Sequence, residues 1–187
     1  MLPVFAEALV LLKESYPDLR IVIPVVPTTA ETVSSITRDW PLPVVFADMA
    51  ERHDAFAASN AALAKSGTVT LELALADVPM VVAYRVSAAT AFLVRRMGVS
   101  VQHASLVNLL AGREVVPELL QENCTVPRLA AATDELLRSK QARDAQIQGF
   151  REVVKVLGDR TPSPSERAAK LVLDIVEGRS PRRAEPA

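Results

Sequence analysis

The chain has little sulfur, little histidine and few aromatic rings. Its 187 residues include one cysteine, two histidines, one tryptophan, two tyrosines and five phenylalanines. A lone Cys124 excludes a disulfide within the chain, and two histidines leave little from which to build a metal site. Charge of one sign is lacking too: 21 Lys and Arg against 22 Asp and Glu give a net charge of −1. No global field therefore advertises nucleic acid as a partner. No apolar run reaches the roughly 18 to 20 residues that cross a bilayer, and no signal peptide is evident, so the chain is expected in the cytosol. There is no internal repeat and no P-loop of the GxxxxGKS or GxxxxGKT type, which argues against a P-loop kinase or ATPase. What is present is a composition half hydrophobic, mostly Ala, Val and Leu. A chain this long buries a real core as one ordinary domain, and this composition suits a parallel α/β sheet.

The pattern along the chain supports that class. Leu2, Phe5, Ala6, Leu9 and Leu12 follow helical spacing with no cap ahead of them. Pro17-Asp18 ends that helix, and Arg20 to Val26 reads as a buried-type strand. Ser34 to Asp39 is predicted helical, Val44 to Phe46 a strand, and Glu51 to Ser59 a helix. A doubly wound sheet normally begins with a strand and a ligand-binding loop, so a chain opening on a helix leads us to expect further structure upstream.

The stretch Lys65-Ser66-Gly67-Thr68-Val69-Thr70-Leu71-Glu72 lies between the apolar runs Ala61–Ala64 and Leu71–Ala76, with Met80–Ala83 following Pro79. That is strand, tight turn, helix, loop, strand: a βαβ unit. Ser66 and Thr68 are each able to cap the helix start. Gly67 lets a ligand approach the backbone closely, and the helix N-terminus favours phosphate. Glu72 falls one turn in, where a carboxylate accepts hydrogen bonds from sugar hydroxyls. The plain alternative is a well-capped structural helix, since Ser-Gly-Thr alone is a weak signal.

Beyond Tyr84-Arg85, a helix is predicted over Ala88–Met97, with Phe92, Leu93 and Val94 beside Arg95 and Arg96. It reads either as contact with an anionic membrane surface or as a core helix with solvated arginines. Val101 to Gln121 reads as a short strand, a loop, and a helix with Pro117 in its first turn. Asn108, Arg113, Glu114 and Gln121 are polar groups in this otherwise apolar stretch. Arg113 suits a phosphate, or an ion pair with Glu114 or Glu118. Helices follow over Arg128–Ser139, Ala142–Leu157 and Ser165–Glu177. The last is announced by a capping box, Ser163-Pro164-Ser165-Glu166, and stopped by Gly178. Residues 1–178 form the expected domain, and 179–187 a disordered tail.

Taken together, Ser59 to Glu72, Pro79 to Arg85, Asn108 to Glu114 and Pro117 to Gln121 resemble lipid-A-disaccharide synthase over Met1 to about Val176. Val107 stands where many members carry proline. The resemblance implies a Rossmann-like parallel sheet with helices on both faces: the C-terminal, donor-nucleotide domain of a GT-B fold, plus C-terminal helices. It implies transfer of 2,3-diacylglucosamine from UDP to 2,3-diacylglucosamine 1-phosphate, forming a β-1,6-linked disaccharide and UDP in lipid A biosynthesis. No metal or other cofactor is implied. Ser66, Gly67 and Thr68 are then expected near the phosphates and Glu72 near the ribose, with Arg85, Asn108, Arg113 and Gln121 completing the substrate-binding set. The catalytic residue is expected in an N-terminal acceptor domain that this stretch does not match, supplied in cis or in trans. Acylated substrates imply peripheral contact with the cytosolic face of the inner membrane, and the resemblance leaves a homodimer open. Two alternatives stand beside this reading. One is a non-catalytic UDP-sugar-binding module with a separate N-terminal partner; the other is a different GT-B UDP-sugar enzyme.

Overall fold

A computed structural model describes residues 1–86, 103–158 and 163–178. The helix predicted at 88–97 and the tail at 179–187 lie outside the described residues. The chain divides into two compact units, Met1–Val153 and Val154–Ala187.

The first unit alternates strands and helices as predicted. Helix α1 (Leu2–Leu12) leads to β1 (Ile21–Pro24), α2 (Pro27–Thr37), β2 (Val44–Ala47) and α3 (Arg52–Ala57). Then come β3 (Ala62–Lys65), α4 (Val69–Leu75), β4 (Met80–Tyr84), α5 (Leu106–Ala111) and β5 (Glu118–Leu120). After a 3-10 turn at Gln121–Asn123, α6 (Val126–Arg138) and α7 (Lys140–Gly158) close the set. All the pairings among the described strands are parallel, but they fall into two sheets: β1 with β2, and β3-β4-β5 in that order.

Side-chain alternation on β3 and β4 builds two cores, one per face. Ala64, Met80 and Val82 pack with Phe56, Leu73, Val107, Phe150 and Val153 on one side. Val81 and Ala83 pack with Phe5, Ala8, Leu12, Leu129 and Leu136 on the other. All four β4 residues from Met80 to Ala83 are fully buried, as expected for a central parallel strand covered on both faces. The expected α/β class, with helices on both faces, is therefore observed.

Three details depart from the sequence reading. Helix α2 begins at Pro27 rather than near Ser34, because Pro27 at the first helical position needs no N–H partner. Strand β1 is half-buried, with Val22 37% exposed, rather than fully buried. The segment read as a helix opened by Pro117 is strand β5, while the residues before it, read as a loop, hold helix α5. Val82 donates its N–H to the Pro117 carbonyl at 2.9 Å, and that ladder takes Glu118–Leu120 into the sheet.

In the second unit, α8 (Pro164–Val176) carries the predicted capping box. Ser163 Oγ accepts from the Glu166 N–H at 3.2 Å, and the Glu166 carboxylate accepts from the Ser163 N–H at 2.6 Å. Gly178 at φ 71° follows the helix.

Candidate functional site

In open parallel sheets, ligands bind outside the carboxyl ends of the strands. At those ends of β3, β4 and β5 stand Ser66, Arg85 and Gln121, the residues that directly follow the strand tips. Ser66 still belongs to the ladder through its N–H, which donates to the Ala83 carbonyl at 3.2 Å. Its hydroxyl donates to the Ala104 carbonyl at 2.6 Å and so is not the helix cap it was expected to be. Thr68 makes no side-chain cap either. The turn is instead closed by Thr70, whose buried hydroxyl donates to the Gly67 carbonyl at 2.8 Å. The hydroxyl lies inside the turn because Thr70 is on the core side of α4. Among the described residues the space above Gly67 is open: a β-carbon there would meet none of their atoms within 4 Å.

The bond from Ser66 to Ala104 joins the turn to a partly buried polar network. Ala104 donates its N–H to Glu118 at 2.7 Å. The other Glu118 oxygen accepts from the Ser105 N–H at 2.8 Å, the Ser105 hydroxyl at 2.6 Å and the Asn108 amide at 2.8 Å. Asn108 is fully buried, and its amide also donates to the Val116 carbonyl at 2.9 Å. Its side-chain oxygen accepts from Val115 at 2.7 Å and Val116 at 3.0 Å. Every polar atom of the Asn108 side chain thus has an internal partner, and the residue fixes the loop between α5 and β5. Glu118 is the hub of this network. In the sequence Glu118 stands out only as a possible partner of Arg113; its role as hub arises once the topology brings Ala104 and Asn108 to it.

Glu72 points toward Arg52 of α3, with 2.9 Å between the guanidinium and the carboxylate. Both side chains are about one-third exposed. The pair lacks hydrogen-bond alignment: Arg52 Nε and Glu72 Oε2 are shielded from solvent without a hydrogen-bond partner among the described residues. Contact at 2.9 Å is therefore an ion pair across α3 and α4 that leaves hydrogen-bonding capacity unused.

The remaining predicted residues divide. Arg85 donates to the Cys124 carbonyl, next to the 3-10 turn that Gln121 opens. Gln121 has φ 49°, a left-handed conformation uncommon for a residue with a side chain and a form of local strain often found at functional positions. Arg113 is paired with Glu152 of α7, not with Glu114 or Glu118, and both partners are half-exposed. No hydrogen bond or ion pair among the described residues connects Arg113 to the Ser66–Thr68 turn. Lys65 lies over the Tyr84 ring, 5.4 Å from its centre, which places one cation beside the turn. A surface depression of about 390 Å³ lies elsewhere, at the carboxyl ends of β1 and β2, lined by Val25, Pro27, Ala30, Asp48, Met49 and Ala50.

Residues 1–172 match the family model described as lipid-A-disaccharide synthetase. The chain belongs to the lipid-A-disaccharide synthetase family. It is 48% identical over 180 residues to a lipid-A-disaccharide synthase of Rhodospirillum centenum, covering 96% of this chain and 45% of that protein. It is 47% identical over 177 residues to the synthase of Gluconobacter oxydans, covering 94% of this chain and 42% of the relative. The synthase of Paramagnetospirillum magneticum is 44% identical over 177 residues. The chain thus spans less than half the length of these lipid-A-disaccharide synthases. Among the described residues, no helix is long and apolar enough to cross a membrane.

Proposed function

We propose that this chain provides the donor-nucleotide site of a lipid-A-disaccharide synthase, an inverting glycosyltransferase. The reaction moves 2,3-diacylglucosamine from UDP to the 6-hydroxyl of 2,3-diacylglucosamine 1-phosphate and releases UDP. The observation that carries this reading is the Ser66-Gly67-Thr68 turn at the carboxyl end of β3, with open space over Gly67 among the described residues and Glu72 one turn on. Backbone N–H groups of the turn meet the diphosphate, with Lys65 as the neighbouring cation, and together they stabilise the charge that develops on the departing UDP. Glu72 takes the ribose hydroxyls, exchanging its loosely aligned contact with Arg52 for hydrogen bonds. Arg85 and Gln121 border the sugar side of the same edge. Asn108 serves the site through Glu118 and Ala104, by holding the loop that Ser66 is tied to. Arg113 must leave Glu152 to reach a phosphate.

The acceptor and the base that deprotonates its hydroxyl belong, in this reading, to the part of the synthase outside these residues. Acylated substrates place the complex peripherally on the cytosolic face of the inner membrane. The test is conversion of UDP-diacylglucosamine and its 1-phosphate acceptor by this chain, alone and with the remainder of a relative supplied in trans. Disaccharide formed only by the combination is expected, because joining reactants and base in one cleft is worth about 7 to 11 kcal/mol of barrier. Turnover by the chain alone shows that the base lies within it.

A further inference from the structure

Glu72 stands where its charge is an obstacle. It lies in the first turn of α4, with its N–H donating to the Thr68 carbonyl at 3.3 Å. Four residues of helix rise about 6 Å, which is inside the screening distance of about 8 Å at physiological salt. A bare carboxylate so close to the Ser66-Gly67-Thr68 turn repels any diphosphate seated there. The same group that accepts ribose hydroxyls thus works against the phosphates attached to that ribose.

Arg52 removes the obstacle. Its guanidinium Nη1 stands 2.9 Å from Glu72 Oε2. The arginine comes from another element, the first position of α3, and among the described residues Glu72 is its ion-pair partner. The neighbouring acid, Glu51, is turned instead to the Asp48 N–H at 3.3 Å. The contact is a counter-charge more than a scaffold bond. Among the described residues, Arg52 Nε and Glu72 Oε2 are shielded from solvent and make no hydrogen bond. A pair kept for stability alone satisfies such shielded atoms, because leaving them unmade costs free energy. Here the closeness of the charges is kept and the bonding is not. Exposures of 27% for Arg52 and 32% for Glu72 leave the carboxylate within reach of a ligand. With these two charges cancelling, Lys65 over the Tyr84 ring is left as the net cation beside the turn.

We infer that Arg52 is a positioning residue of the donor site: its charge cancels that of Glu72, so that the carboxylate accepts ribose hydroxyls without repelling the diphosphate. This rests on the nucleotide reading of the Ser66–Thr68 turn and adds a residue to it. Arg52 acts through Glu72 and does not touch the phosphates. Its effect survives when ribose hydroxyls take over the carboxylate oxygens, because attraction between charges, unlike a hydrogen bond, needs no alignment.

The test is the preference for UDP over uridine, the ratio of their dissociation constants, in which the ribose contacts cancel and the phosphates remain. NMR titration of the chain at low salt gives both constants. The parent should prefer UDP. Arg52→Gln should cut that preference at least about fivefold, while Arg52→Lys, which keeps the charge, should hold it within about twofold. In the double variant Arg52→Gln with Glu72→Gln, neither charge is present, and the preference should return to within about twofold of the parent. Arg52→Met takes the place of Arg52→Gln should that variant not melt cooperatively. An unchanged preference in Arg52→Gln overturns the proposal by making the pair a structural bridge. A preference that is lost in Arg52→Gln and stays lost in the double variant overturns it by putting Arg52 on the phosphates. A loss as large in Arg52→Lys overturns it by making the forked geometry, not the charge, the cause. A folded parent that binds UDP no better than uridine overturns the nucleotide reading of the turn, and this proposal with it.

Discussion

Asn108 donates its side-chain amide to Glu118 at 2.8 Å, and that carboxylate also holds the backbone of Ala104 and Ser105. This pair, Asn108 buried and Glu118 half-buried, thus joins α5 to β5 and, through Ala104, to Ser66. Asn108→Ala would take the side-chain acceptor from the N–H groups of Val115 and Val116, the donor from the Val116 carbonyl, and one of the three hydrogen bonds from a Glu118 oxygen. A loss of about 3 kcal/mol or more of folding stability is expected. Denaturant melts measure it. A variant as stable as the parent but defective in transfer would show that Asn108 touches substrate directly.

Gly149 sits where α7 crosses the loop before β5. A β-carbon there would stand 2.4 Å from Val115 Cγ1. Val115 donates its N–H to Asn108, so it has little room to retreat. Gly149→Ala should cost about 1 to 3 kcal/mol by overpacking, although alanine is the better helix former. Thermal melts decide the sign.

Glu166 should report on α8 through pH. The Ser163 backbone N–H, hydrogen-bonded to its carboxylate, holds the pKa of this side chain below the ordinary glutamate range. A depressed carboxylate pKa contributes stability that is present above its unfolded value and is lost as pH falls through the lowered one. The Ser163 amide shift in NMR should therefore titrate with a midpoint below that of an unperturbed glutamate. A midpoint at or above the ordinary value would mean that the capping box does not form.

Much of this was legible in the sequence, for reasons that can be named. The βαβ unit around Gly67 and the α8 capping box depend on local patterns, a hydrophobic run broken by turn residues and a hydroxyl three residues before a glutamate. Ser66 does not cap α4 because the choice between capping and tying the turn to Ala104 is decided by a loop 38 residues away; Thr68 stands at the N-cap without a side-chain bond. Pro117 pointed to a helix by its own preference, but pairing with Val82 overrode it. Glu118, legible only as a partner for Arg113, and Arg52 escape a local reading because their actual partners are reached only once β5 lies beside β4 and α3 beside α4.

Titration calorimetry of UDP into this chain and into Glu72→Ala tests the donor site most directly. The parent should bind UDP, and the variant, equally stable, should bind it more weakly by about 1 to 3 kcal/mol, roughly 5- to 150-fold in Kd, as ribose hydroxyls lose their acceptor. Equal affinity in parent and variant, or no binding by a folded parent, would contradict a nucleotide site built on the Ser66-Gly67-Thr68 turn and Glu72.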